Sequence, residues 1–125
     1  MPVRIFSDEA RAALAEGIAL FNRGRYFECH EAIEEIWRPE RGPGRLFLQS
    51  LIHVAVGLHH HGRGNRRGAE RQLRKAMLKL GAYLPAFAEV DTGRLYRDAA
   101  ECLDSILRER GFPRPAIRFI PADPP

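Results

Sequence analysis

Apolar positions along this chain recur at three- and four-residue spacing and show no sustained two-residue alternation, a pattern that predicts helices and no half-buried strand. Breakers divide it into five helical stretches. Ser7 is placed to cap a first helix that runs to about Asn22, with Asp8 and Glu9 at the positive end of its dipole and Ala10, Leu14, Gly17, Ile18 and Phe21 as its inward stripe. A second helix, about Tyr26 to Arg38, is stopped by Pro39, whose ring removes a backbone donor and clashes with the preceding turn. The third, about Gly44 to His61, is apolar on nearly all sides and is expected to be central. Asn65 caps a fourth, about Arg66 to Leu84, in which Ala69, Leu73, Ala76, Met77, Leu80 and Leu84 face inward. The fifth runs from about Thr92 to Arg110, before Gly111. Five of the nine prolines fall in the last 13 residues, so residues 112–125 are expected to be an extended tail whose Phe112, Ile117, Phe119 and Ile120 can dock on a bundle formed by residues 1–111.

Shifting the chain by 40 residues aligns Gly17 with Gly57, Gly24 with Gly64, Cys29 with Ala69, Ile33 with Leu73 and Ile36 with Ala76. Each copy reads as a helical hairpin. The small residues Gly17, Gly24 and Cys29, with Tyr26, follow the spacing of a tetratricopeptide unit, although the 40-residue period does not. The expected fold is therefore all-α: a five-helix single domain of two tetratricopeptide-like hairpins, a capping helix and the proline-rich tail.

Composition changes this picture in two places. With 125 residues, 45% hydrophobic and 29% charged, the chain has the length and make-up of one globular domain. Its longest apolar-dominated run, Leu51 to Leu58, is far short of the roughly 20 residues of a membrane span. Because the start lacks a basic region followed by a long apolar stretch, the expectation is a cytoplasmic protein with Cys29 and Cys102 reduced. The formal charge of +4 is unevenly spread: residues 1–40 carry five basic and eight acidic side chains, residues 41–80 nine and one, and the remainder six and seven. The basic charge is thus concentrated in the third and fourth helices and their flanks. Arg67, Arg71, Lys75 and Lys79 repeat every four residues on the outer side of the fourth, a surface for an anion or an acidic partner; no nucleic-acid motif accompanies it.

Candidate chemistry centres on the second helix. On a helical wheel Tyr26, Cys29, Ile33, Ile36 and Trp37 form its core stripe, so Trp37 is expected in the core. His30 and Glu34 lie one turn apart on its flank, while Glu28, Glu31 and Glu35 point away. An i, i+4 His/Glu pair can share a metal ion, since imidazole and carboxylate both ligate zinc or iron. The zinc-protease pattern needs a second histidine where Glu34 stands, and the Glu-x-x-His of di-iron bundles fails at Phe27. In the third helix Gln49, His53, Val56 and His60 make a mostly polar seam. If it faces the second helix, its histidines converge with Glu28, His30, Glu31 or Glu34 as a metal site or a buried charge network. His61 is expected to face solvent near the helix end.

These same residues carry a resemblance. Tyr26-Phe27-Glu28-x-His30-Glu31-x-x-Glu34-x-x-Trp37, then Leu48-Gln49-Ser50-Leu51-Ile52-x-x-Ala55, His60 and Gly64-Asn65-x-x-Gly68-Ala69, resemble the domain of unknown function 309 family of small bacterial and archaeal proteins over residues 17–80. The resemblance implies a compact helical bundle and places Glu28, His30, Glu31, Glu34, Trp37, Gln49, His60 and Asn65 at family motif positions. It implies no activity. Ser50 stands where a glycine is expected and His53 where a glutamine is commoner, and residues 85–125 lie outside the match.

Two functional expectations follow. The first is an interaction or self-association module, in which a buried His/Glu/Gln network sets helix register and the acidic face of the second helix complements the basic stripe of the fourth. The alternative is a metal- or anion-binding domain, a hydrolase in its catalytic form, with a divalent metal held by His30, Glu34, His53 and His60 between the second and third helices and a free glutamate as base. No nucleophile constellation, phosphate loop or cofactor fingerprint names a reaction.

Overall fold

The computed structural model describes residues 4–121. Five α-helices occupy them: α1 (Asp8–Asn22), α2 (Tyr26–Trp37), α3 (Arg45–Gly62), α4 (Arg66–Leu80) and α5 (Thr92–Leu107), with a short 3-10 turn at Gly81–Tyr83. The domain is all-α, and each helix packs on the next in chain order. Ser7 and Asn65 cap α1 and α4 as expected, their side-chain oxygens accepting from Ala10 N and Gly68 N.

The 40-residue repeat has a structural counterpart. Gly24 and Gly64 both take left-handed backbone, φ +79° and +75°, at the turn of their hairpins. In the first hairpin a Cβ on Gly17 would lie 2.7 Å from Ile33, and in the second a Cβ on Gly57 would lie 3.1 Å from Leu73. The equivalent glycine thus admits the equivalent apolar residue sixteen positions on, and the paired helices close around a core of Ile18, Phe21, Ile33, Leu48, Leu51 and Leu73.

Three local expectations are corrected. First, α4 stops at Leu80: Pro85 pushes Leu84 to extended backbone (ψ 151°), so Leu84 leaves the inward stripe and is exposed. Second, α5 stops at Leu107 because Glu109 turns left-handed (φ +57°) and lets Arg110 N bond back to Ser105 O, closing the helix before Gly111 is reached. Third, Trp37 is only partly buried. It packs against the core's rim with the Arg45 guanidinium 4.2 Å above its ring, while Arg45 also donates to the carbonyls of Trp37 and Glu40 at 2.7 and 2.8 Å.

Ala88 and Glu89, both left-handed, form a tight turn in which Phe87 and Val90 exchange hydrogen bonds. Val90, fully buried, also bridges Phe119. Asp91 caps α5 by accepting from Arg94 N. The segment after α5 returns across the bundle: Ile117 is buried, Phe112 packs on the core, and Phe119 and Ile120 stay largely exposed. Asn22, at the end of α1, donates to Ile117 O at 2.9 Å and accepts from Ile117 N at 2.8 Å.

Candidate functional site

The polar residues separate into three groups, each built on a helix flank. On α2, His30 Nε2 lies 2.9 Å from Glu34 Oε2, its Nδ1 lies 3.1 Å from Phe27 O, and Arg38 binds the other carboxylate oxygen at 2.9 Å. Both imidazole nitrogens of His30 thus have an oxygen within hydrogen-bond distance. The i, i+4 spacing does bring His30 and Glu34 together, and Arg38 one turn further completes an ion-paired row. Glu28 pairs with Arg25, and Glu31 is exposed.

The second group joins α3 to α4. His53 Nδ1 donates to Gln72 Oε1 at 2.7 Å, which leaves Nε2 to accept from Lys79 Nζ, also at 2.7 Å. Burial pushes the pKa of His53 below its ordinary 6.5, opposed by the Gln72 bond and reinforced by Lys79 and Lys75. Lys79 is likewise held below its ordinary 10.5, by burial and then by Lys75. Lys79 therefore leaves the outer basic stripe, which keeps Arg67, Arg71 and Lys75. Gln72 and the inward bend of Lys79 were not anticipated, since four-residue periodicity alone puts Lys79 on the solvent side. Gln49, half-buried, lies one turn before His53.

The third group closes the α3/α4 hairpin. Asn65 Nδ2 approaches His60 Nδ1 at 3.4 Å while its Oδ1 caps α4. Gly68 makes room for both: a Cβ there would lie 2.6 Å from Asn65 Nδ2 and 2.9 Å from His60 Cδ2. A chain of ring contacts, Phe27 to His59 at 5.5 Å and His59 to His60 at 6.2 Å between centroids, runs from α2 to this corner. His61 is exposed, with its ring 4.8 Å from that of Phe112.

The seam of α3 thus turns toward α4 rather than α2. His53, Gly57 and His60 share one flank, and a Cβ on Gly57 would lie 3.1 Å from Leu73 and 3.3 Å from Gln72 of α4. Gly57 is the sequence signal that points the seam this way. His53 accordingly bonds to α4 and His60 approaches its cap Asn65, while His30 and Glu34 bond to each other. Among the described residues no group of three or more His, Cys, Asp or Glu side chains could hold a metal, so the structure does not gather His30, Glu34, His53 and His60 into one coordination set.

Cys29 and Cys102 are free and buried; burial pushes both thiols up to about 12, the opposite of an activated nucleophile. A groove of about 640 Å³, lined by Phe6, Arg11, Leu14, Glu89 and Phe119 among others, lies at α1 and the 88–89 turn and touches none of the three groups. Among the described residues no helix is long and apolar enough to cross a membrane.

Comparison with known proteins bears on the two hairpins. A relative, the uncharacterized protein YpuF of Bacillus subtilis (strain 168), is 38% identical over 73 residues, 56% of this chain. The chain spans 42% of that relative's length. Neither the relative's name nor the family's description carries an activity, and the biochemical function is unassigned. Residues 14–72, which hold His30, Glu34, His53, His60, Asn65 and Gln72, match the family described as Domain of unknown function (DUF309), and over this stretch the chain is similar to that family as its motifs indicate.

Proposed function

We propose that the domain is a helical interaction module that docks an acidic protein surface on the exposed row Arg67, Arg71 and Lys75 of α4. One observation carries this reading. Within α4 the other exposed arginines are neutralised, Arg66 by Glu109 and Arg74 by Glu70, whereas among the described residues no carboxylate lies within 4.0 Å of Arg67, Arg71 or Lys75. Three cations on one helix flank without counter-charge raise the local potential and attract a surface of opposite sign. Leu78, 84% exposed and one turn beyond Arg74 and Lys75, adds an apolar contact beside the charges. The chain carries a complement of its own in the outward Glu31 and Glu35 of α2, both exposed, so a second copy satisfies the same chemistry. On this reading the His30/Glu34, His53/Gln72 and His60/Asn65 contacts fix helix register rather than perform chemistry.

The test is charge reversal. Arg67→Glu, Arg71→Glu and Lys75→Glu combined should leave the helical circular dichroism spectrum and Tm near those of the parent while abolishing salt-sensitive association, read by light scattering of the purified chain and by capture on a defined acidic helical peptide. A parent chain that stays monomeric and ignores the acidic peptide at low salt overturns the reading.

A further inference from the structure

At the α3/α4 seam Lys79 Nζ lies 2.7 Å from His53 Nε2, Lys75 stands one turn before Lys79 on the same flank of α4, and neither lysine is ion-paired with a carboxylate among the described residues. A lysine at an exposed helix position ordinarily extends into water, where its ammonium is best hydrated. Lys79 instead folds inward to place Nζ 2.7 Å from His53 Nε2, beside a second lysine, and remains in a half-buried setting that penalises its charge. Gln72 fixes the tautomer: with Nδ1–H committed to Gln72 Oε1, any proton that His53 gains must arrive at Nε2, the nitrogen that meets Lys79.

Among the described residues this arrangement has more donors than acceptors. Lys79 spends one N–H on His53 and has two more, Lys75 has three, and protonation of His53 adds another at Nε2. We propose that His53, Lys75 and Lys79 form a binding site for a phosphate-type oxyanion, with His53 as its proton-linked member and Gln72 as the residue that positions the imidazole. When the anion arrives, Lys79 releases Nε2 and donates to an anion oxygen, and the protonated Nε2 donates to another. The site goes beyond the docking row, with which it shares Lys75 alone. It lies at the edge of the family match, since Gln72 is inside residues 14–72 and both lysines are outside.

The pH dependence follows from the groups present. The charged side chains that act on His53 are Lys79 and Lys75 of α4; on α2, Glu34 pairs with both His30 and Arg38. Without the anion burial, reinforced by Lys79 and Lys75, holds the imidazole neutral to below its ordinary range, and a bound dianion reverses the sign of the local field. Binding of the dianion therefore takes up a proton at His53 Nε2, and affinity expressed per dianion, with the phosphate's own ionisation accounted for, tightens as pH falls through the window between the free and bound values.

The test follows all five histidines of the full chain by long-range proton–nitrogen NMR across pH, with inorganic phosphate against chloride at constant ionic strength. The expected result is a saturable shift of the His53 titration to higher pH, with His30, His59, His60 and His61 unmoved. Lys79→Gln should weaken phosphate on the order of tenfold, the loss of one charge-assisted contact, while Lys79→Arg retains it. Arg67→Glu with Arg71→Glu should leave the His53 shift in place, which separates failure of this site from failure of the docking row. Phenyl phosphate, run in parallel, distinguishes an ester-linked phosphate from the free ion by whichever binds tighter. No shift of His53, or an equal drift of all five histidines, overturns the proposal, and the unsubstituted chain is enough to show it.

Discussion

His53 illustrates how one side chain on a central helix can be satisfied in a single protonation state. Its imidazole donates to Gln72 and accepts from Lys79, and a second proton would place a cation against two lysines in a half-buried seam. The folded chain therefore holds this group below 6.5 while the unfolded chain leaves it near that value. Between the two, the unfolded state binds more protons, so folding stability rises with pH across that window and is lost as pH falls through it. In chloride buffer, the urea midpoint should drop between about pH 7.5 and about pH 5.5, and His53→Gln should flatten that drop while keeping an uncharged hydrogen-bonding group in place. Identical slopes for the two chains would show that the imidazole's surroundings do not penalise its charge. Trp37 follows another logic at the same scale: its indole nitrogen is buried without a partner, and the Arg45 guanidinium over its ring satisfies the face rather than the N–H.

Helix ends divide the legible from the illegible. Ser7 and Asn65 are short polar residues before apolar periodicity, and both cap as their chemistry requires. The equivalent of Asn65 in the first copy is Arg25, which makes no side-chain cap, so the second hairpin has the better-specified start. Asn65→Ala should therefore cost about 0.5 to 2 kcal/mol by loss of the bond to Gly68 N, measured as a lower urea midpoint at unchanged m value. Arg25→Ala removes no cap hydrogen bond and should cost less in the same assay. The five helices, their order and the 40-residue repeat were all readable, because each rests on local periodicity and on punctuation within a few residues. The end of α5 and the 87–90 turn were not, because Ala88, Glu89 and Glu109 adopt left-handed backbone without being glycine or asparagine, and long-range contacts hold them there. The site divides in the same way. His30 and Glu34 meet through one turn of one helix and were visible as a pair; His53, Gln72 and Lys79 meet across two helices, and only Gly57 hinted at which neighbour α3 would face.

At the scale of the molecule, chain-order packing leaves α1 and α5 as the outer members of the series, and the segment after α5 ties them together. Arg114 donates to Arg23 O at the end of α1, Asn22 brackets both backbone groups of Ile117, Val90 bridges Phe119, and Ile120 N reaches Glu89 O. Ile117, 2% exposed, belongs to the same core cluster as Phe21 and Leu103. Such a segment acts as a clasp whose removal opens apolar surface at both ends of the helix series. Ile117→Ala should cost about 2 to 5 kcal/mol, the usual range for truncating a fully buried aliphatic side chain. Asn22→Ala, which strands the Ile117 amide and carbonyl, should cost about 1 to 3 kcal/mol. Because both substitutions release the same stretch of chain, their combined cost in a double-mutant cycle should fall short of the sum, with the interaction energy on the order of 1 kcal/mol. Ending the chain at residue 111 should then destabilise the remaining helices in one cooperative transition rather than leave their Tm unchanged. A truncated chain that melts like the full one would show the tail to be an appendage on a self-sufficient bundle.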